Sequence, residues 1–188
     1  MFKITETKQK TSEIWAECNK LFKCWSYYSP EQMDKDFPIP KKTTHYFRKE
    51  VEADEVHKNK SANDLEKEGV KGITLRERLL LEIQYFKETG KHLDIKNITL
   101  CSGSRWSAGF VPDAYWYDDN KFYVHRCYVD IRNDYIRARE QFLKPFSSSL
   151  VPLDKDSKKI AILEERVTKI ENWIDFWETV ETPEVGIK

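Results

Sequence analysis

The chain has 188 residues and balances 32 Lys plus Arg against 32 Asp plus Glu. A formal net charge of zero gives no reason to expect a polyanion or an anionic membrane as partner. Six Trp, 9 Tyr and 10 Phe supply enough ring surface for a core, which excludes a chain disordered throughout. No run approaches the ~20 apolar residues that cross a bilayer. The opening residues are charged and lack an apolar stretch, and four dispersed cysteines make no disulfide framework. An intracellular, cytoplasmic chain is expected.

In chain order, residues 12–25 place Ile14, Cys18, Leu21 and Trp25 on one helical stripe, with Trp15 and Phe22 beside it. Residues 27–42 carry Pro30, Pro38 and Pro40 and read as irregular, with a short helical turn after Ser29-Pro30. Residues 45–72 are charged and poor in large apolar groups after Phe47. They predict short exposed helices, such as one over 61–68, or a loop.

The clearest element is residues 74–89. Thr74 and Glu77 form a capping box, in which hydroxyl and carboxylate each satisfy an orphan backbone donor. Leu75, Leu79, Ile83 and Phe86 make one apolar stripe, widened by Leu80 and Leu81, which predicts burial on more than one side. Gly90 stands where a left-handed cap belongs.

The period then changes. Residues 97–101, 114–117 and 121–129 favour strands, and Asp118-Asp119-Asn120 reads as the hairpin turn between the last two. In the third strand Phe122, Val124, Arg126 and Tyr128 share one face; Tyr123, His125, Cys127 and Val129 share the other. Neither face is wholly polar, so both need at least partial cover. Residues 102–109 form the loop into the hairpin, and a helix over 133–143 would put Arg132 and Arg139 on one side.

A Pro/Ser stretch at 145–152 precedes a tail helix over 157–180. Its Ile160, Leu163, Val167, Ile170, Ile174 and Trp177 are spaced three and four apart, with Trp173 thickening the far end. That is a coiled-coil-like seam suited to self-association or to a protein partner.

Chemistry is harder to find. Cys18, Cys24, Cys101 and Cys127 with His45, His57, His92 and His125 give no close metal-ligand spacing. His125 and Cys127 share a strand face, but a packed thiol beside a half-exposed imidazole explains that pair, and no metal or other cofactor is expected. Ser102-Gly103-Ser104 is a small hydroxyl turn without the G-x-S-x-G pattern of a nucleophile elbow. Cys101 with His92 or His125 is a conceivable thiol and base. The six glycines form no phosphate-cradling motif.

Arg105, Trp106, Tyr115, Tyr117, Arg126, Arg132 and Arg139 together offer the stacking planes and phosphate donors of a single-strand nucleic-acid surface. Against this, acidic neighbours neutralise the arginines.

The expected fold is α+β. A small antiparallel sheet of three or more strands is packed by an amphipathic helix, with an N-terminal helical segment and a long C-terminal helix. Residues 1–150 form the globular domain, divided into a helical and irregular part (1–71) and a helix-plus-meander core (72–150). Residues 151–188 hold the tail helix. The expected function is non-enzymatic binding or assembly through an aromatic surface and the tail helix, an accessory, inhibitor or structural role. The alternatives are single-stranded nucleic-acid binding and, third, a small hydrolase with a Ser or Cys nucleophile.

Overall fold

The computed structural model describes residues 1–41, 43–106 and 109–144. The expected tail helix, with Ile160, Leu163, Val167, Ile170, Trp173, Ile174 and Trp177, lies outside the described residues. Within them the fold is α+β, in the order β1 (Phe2–Thr5), α1 (Thr11–Leu21), β2 (Cys24–Ser26), α2 (Pro30–Asp36), β3 (Thr44–Phe47), a 3-10 turn (Glu55–His57), α3 (Ala62–Lys67), α4 (Leu75–Thr89), β4 (Ile98–Leu100), β5 (Phe110–Tyr117), β6 (Lys121–Tyr128) and β7 (Ile136–Ala138). No helix among the described residues is long and apolar enough to cross a membrane.

The antiparallel core β4-β5-β6 matches expectation, but the sheet does not stop there. It has five strands in the order β2-β6-β5-β4-β7, and both edge strands, β2 on β6 and β7 on β4, pair in parallel. The hairpin between β5 and β6 turns through Asn120 at φ 59°, a left-handed conformation that Asn tolerates. A separate ribbon pairs β1 with β3.

Helix α4 is the centre of the described fold. Its capping box closes at Thr74 and Glu77, and Gly90 ends it at φ 66°. Residues Leu75 through Leu79 and Leu81 through Ile83 are all buried, because the sheet, α1 and the β1–β3 ribbon pack around it. Ile14, Trp15 and Cys18 of α1 join the same core, and the Phe2 ring meets Tyr85 edge-on at 5.8 Å.

The sheet's two faces are covered by different helices. Even-numbered residues of β5 and β6, such as Ala114, Phe122 and Val124, pack in the α4 core. Odd-numbered Val111 and Cys127 pack with Leu65 of α3, together with Leu100, Ile136 and Ala138. Two close approaches pin the loop after β4 to the start of α4: a Cβ on Gly103 would lie 2.2 Å from the Gly72 carbonyl oxygen, and one on Gly72 would lie 1.8 Å from Ser102 Oγ.

Three expectations are corrected. The N-terminal helix ends at Leu21, and Cys24–Ser26 is a strand, so Trp25 lies on the sheet rather than on the helical stripe. Residues 133–143 are not helical; β7 occupies Ile136–Ala138 because its parallel ladder with β4 takes the backbone donors. Residues 45–72 hold a strand as well as the short helix α3, which begins at the Ser61 cap.

Candidate functional site

The charges buried beside α4 form the first cluster to weigh. Asp94, fully buried and held at φ 54°, accepts from Arg78 Nε at 2.9 Å, Arg139 Nη2 at 2.6 Å and Thr99 Oγ1 at 2.5 Å. Glu82 accepts from Arg78 Nη1 at 2.7 Å and contacts His92 Nδ1 at 2.9 Å. Arg139 also donates to the carbonyls of Glu50 and Val51. Two guanidiniums meet two carboxylates here, with further carbonyl and hydroxyl partners. Such a set fixes where the chain crosses beneath the sheet. Arg139, expected on a nucleic-acid surface, is therefore an interior residue; β7 turns it inward, where a helix would have turned it out beside Arg132.

The hydroxyl and thiol candidates are structural as well. Ser104 Oγ accepts from the Leu75 N–H at 2.9 Å, which satisfies a donor at the start of α4. Cys101 is fully buried, and burial pushes its thiol well above the usual range, the opposite of an activated nucleophile. Burial likewise pushes the Cys127 thiol up to about 12. His92 is stacked on Trp116, with ring centroids 3.4 Å apart, and His125 lies against Trp25 at 5.7 Å. Each imidazole is thus held in an aromatic contact.

The remaining expected surface residues sort into a basic set that is neutralised and an aromatic set that is partly exposed. Arg105 pairs with Glu66 at 3.1 Å and donates to the Ser102 carbonyl at 2.5 Å. Arg132 grips Asp64 with two bonds of 2.6 and 2.7 Å and holds that carboxyl well below the usual carboxylate range. Both arginines tie the sheet side of the molecule to α3.

Arg126 behaves differently. Its guanidinium lies 4.1 Å from the Tyr27 ring centroid, 4.4 Å from that of Phe110 and 5.4 Å from that of Trp106, a cation among three π faces. Trp106 is held by its indole N–H, which donates to Asp36 Oδ2 at 2.6 Å.

From this group the rings continue around the β2 edge. Tyr27 stands 5.9 Å from His125 and 6.1 Å from Trp106. Trp25 stands 5.6 Å from Tyr123, which stacks on Tyr115 at 5.6 Å and meets Tyr117 edge-on at 6.0 Å. Phe110 and Tyr128, cross-strand partners, lie 4.4 Å apart. Trp25 is 42% exposed, Tyr27 38%, Tyr117 55% and Tyr128 57%. The structure thus brings Trp106 and Arg126 together, and Tyr115, Tyr117 and Tyr123 together, through rings that sequence reasoning missed: Trp25, Tyr27, Phe110 and Tyr128. The signal for Trp25 and Tyr27 was the β-favouring run CWSYY, hidden by the helical stripe that leads into it.

One carboxyl sits at the inner margin of this face. Asp113, opposite His125 across the β5–β6 ladder, is 6% exposed and its Oδ1 has no hydrogen-bond partner among the described residues. Burial pushes its pKa up to about 6, partly offset by His125. Strand β2 bounds the face and is an edge strand, pairing only with β6 among the described strands. Comparison with protein-family models, with curated proteins and with solved structures finds no match for this chain.

Proposed function

We propose that this protein is a non-enzymatic binding protein whose aromatic face docks an extended segment of a partner protein along the edge strand β2. The observation that carries this reading is the continuous ring belt around that edge, from Tyr117, Tyr115 and Tyr123 through Trp25 and Tyr27 to Phe110 and Tyr128. Exposed aromatic surface of this kind costs free energy in water and is regained on association. Tyr and Trp are also the residues that most often dominate binding energy at protein interfaces. An edge strand supplies main-chain donors and acceptors for an added strand, while flanking rings supply side-chain pockets.

Nucleic acid fits the face less well. Arg105 and Arg132 are held by carboxylates, Arg139 is buried, and the net charge is zero, whereas phosphate contacts carry most nucleic-acid affinity. The apolar seam of residues 157–180 supplies a second contact or a means of self-association in the same reading.

The test is co-purification of tagged full-length chain from its own cells, with and without nuclease, beside a Trp25→Ser/Tyr128→Ser variant. A protein retained after nuclease by the wild type and lost by the equally stable variant supports the proposal. Loss of the partner on nuclease treatment, or its retention by the variant, refutes it.

A further inference from the structure

A second polar cluster, on the far side of the sheet's β7 edge, is not closed by its own partners. Asp54, 4% exposed, immediately precedes the 3-10 turn; its N–H donates to the Ala138 carbonyl at 3.0 Å, and its Oδ2 accepts from the Glu140 N–H at 2.7 Å. These bonds bring Asp54, His57 and Glu140 together, with one ligand atom from each lying within 4.8 Å of the others.

His57 is 4% exposed, and neither ring nitrogen makes a hydrogen bond among the described residues. Its Nε2 points toward the cluster, 3.5 Å from Glu140 Oε2. Asp54 Oδ1 is likewise buried without a partner. A buried imidazole always carries at least one N–H, and leaving it and a carboxylate oxygen unmatched is costly.

We infer that Asp54, His57 and Glu140 form a binding site for a zinc-like divalent transition metal ion. One imidazole nitrogen and two carboxylate oxygens are ligands such ions accept at about 2.0–2.2 Å, so in a tetrahedral shell any two ligands lie about 3.4 Å apart once bound. The cluster, whose ligand atoms lie within 4.8 Å of one another, needs to contract by up to about 1.4 Å to reach that spacing.

Arg48 supports the arrangement rather than filling it. Its guanidinium donates to Asp54 Oδ2 at 2.6 Å and to Glu140 Oε2 at 2.9 Å, one oxygen of each carboxylate. It thereby fixes both groups as an outer hydrogen-bond partner does around a metal. Asp54 and Arg48 also line a pocket of about 360 Å³ with Glu52, Glu55 and Arg137. Of the three ligands only Asp54 lines that pocket, so water reaches the site from the Asp54 side.

The test is equilibrium dialysis of chelator-treated full-length protein against zinc chloride, repeated for His57→Gln and Glu140→Gln, with circular dichroism to establish that each variant is folded. Cobalt substitution provides a visible-absorption readout of the ligand set. The expected result is one zinc per chain, a cobalt spectrum characteristic of four or five ligands, and affinity lowered at least ~10-fold in each folded variant. A His125→Gln/Cys127→Ser variant, altered elsewhere on the sheet, retains the site. Zinc that fails to bind stoichiometrically overturns the inference, as does binding that survives both cluster variants or is lost in the His125/Cys127 control. Should a cluster variant fail to fold, the wild-type stoichiometry and cobalt spectrum decide the matter alone.

Discussion

The even-numbered and odd-numbered faces of the central sheet meet their surroundings in opposite ways. On the even face α4 lies across β5 and β6, and the charges drawn inside with it are matched, Arg78 and Arg139 by Asp94 and Glu82. On the odd face α3 covers Leu100, Val111 and Cys127, and beyond it Tyr115, Tyr117, Tyr123, His125 and Trp25 run on to the β2 edge. The even face carries uncovered rings only beyond the α4 core, at Phe110 and Tyr128 beside Arg126. The first arrangement serves the fold; the second leaves unburied ring surface that the proposed docking of a partner would cover.

Removing a member of the matched charge set should produce the largest effect. Asp94→Ala would leave Arg78 and Arg139 buried without their shared carboxylate, at a cost of about 4 kcal/mol in unfolding free energy, measured by chemical denaturation. A loss under about 1 kcal/mol would mean the network is incidental to the fold. Gly103→Ala comes next, at about 2 kcal/mol, because its Cβ would meet the Gly72 carbonyl oxygen, a backbone atom with little room to give. The same substitution should shift Trp106, which lies three residues on, and change its fluorescence.

Asp113 tests the boundary between the two regimes through pH. Its pKa in the folded state is raised to about 6 from an unfolded value near 3.8. The native state therefore favours the protonated carboxyl. The stability this group contributes is fully present below the unfolded pKa and is lost as pH rises through about 6. Asp113→Asn should accordingly stabilise the protein by about 1–2 kcal/mol at pH 8 and by little at pH 3.5. A gain that does not depend on pH would refute this assignment. Smallest of all, Trp25→Ser, Tyr117→Ser and Tyr128→Ser should each move stability by no more than about 0.5 kcal/mol, since their rings are exposed. A larger loss in thermal melts would place these rings in the fold's own energetics.

Much of the even face could be read from residues alone. Thr74 with Glu77, and Gly90 after Thr89, mark both ends of α4 by local hydrogen bonding, and Asn120 marks the β5–β6 turn by backbone preference. Ser29 and Ser61 likewise announce α2 and α3 as caps. Strands β1, β2, β3 and β7 are three or four residues each, and their partners are distant in sequence; Phe2 pairs with Phe47, and Ile98 with Ile136. Such segments are strands because of the neighbour they meet, a preference no short window contains.

The candidate site divides along the same line. Alternation within β6 sets Arg126 and His125 on opposite faces, and the strand has that facing. Trp25 was lost when a helical stripe was carried four residues beyond its true end, and Arg139 was turned outward by a helix that β7 replaces. Arg76, Glu77 and Glu82 gave no sign of burial, because charge in a helix reads as solvent until the elements on its other sides are known. Each is instead satisfied inside: Arg76 by Glu6 and Thr11, Glu77 by His45 and Gln141, Glu82 by Arg78 and His92.

The ring belt as a protein-docking face is tested most directly by titrating the nuclease-resistant partner, once isolated, against the wild type and the Trp25→Ser/Tyr128→Ser variant by calorimetry. The prediction is binding by the wild type with a negative heat-capacity change, which marks apolar burial, and affinity at least ~30-fold weaker for a variant that melts at the same temperature. Equal affinity in both proteins, or tight binding of oligonucleotides at low salt by the wild type in place of any protein, would contradict it.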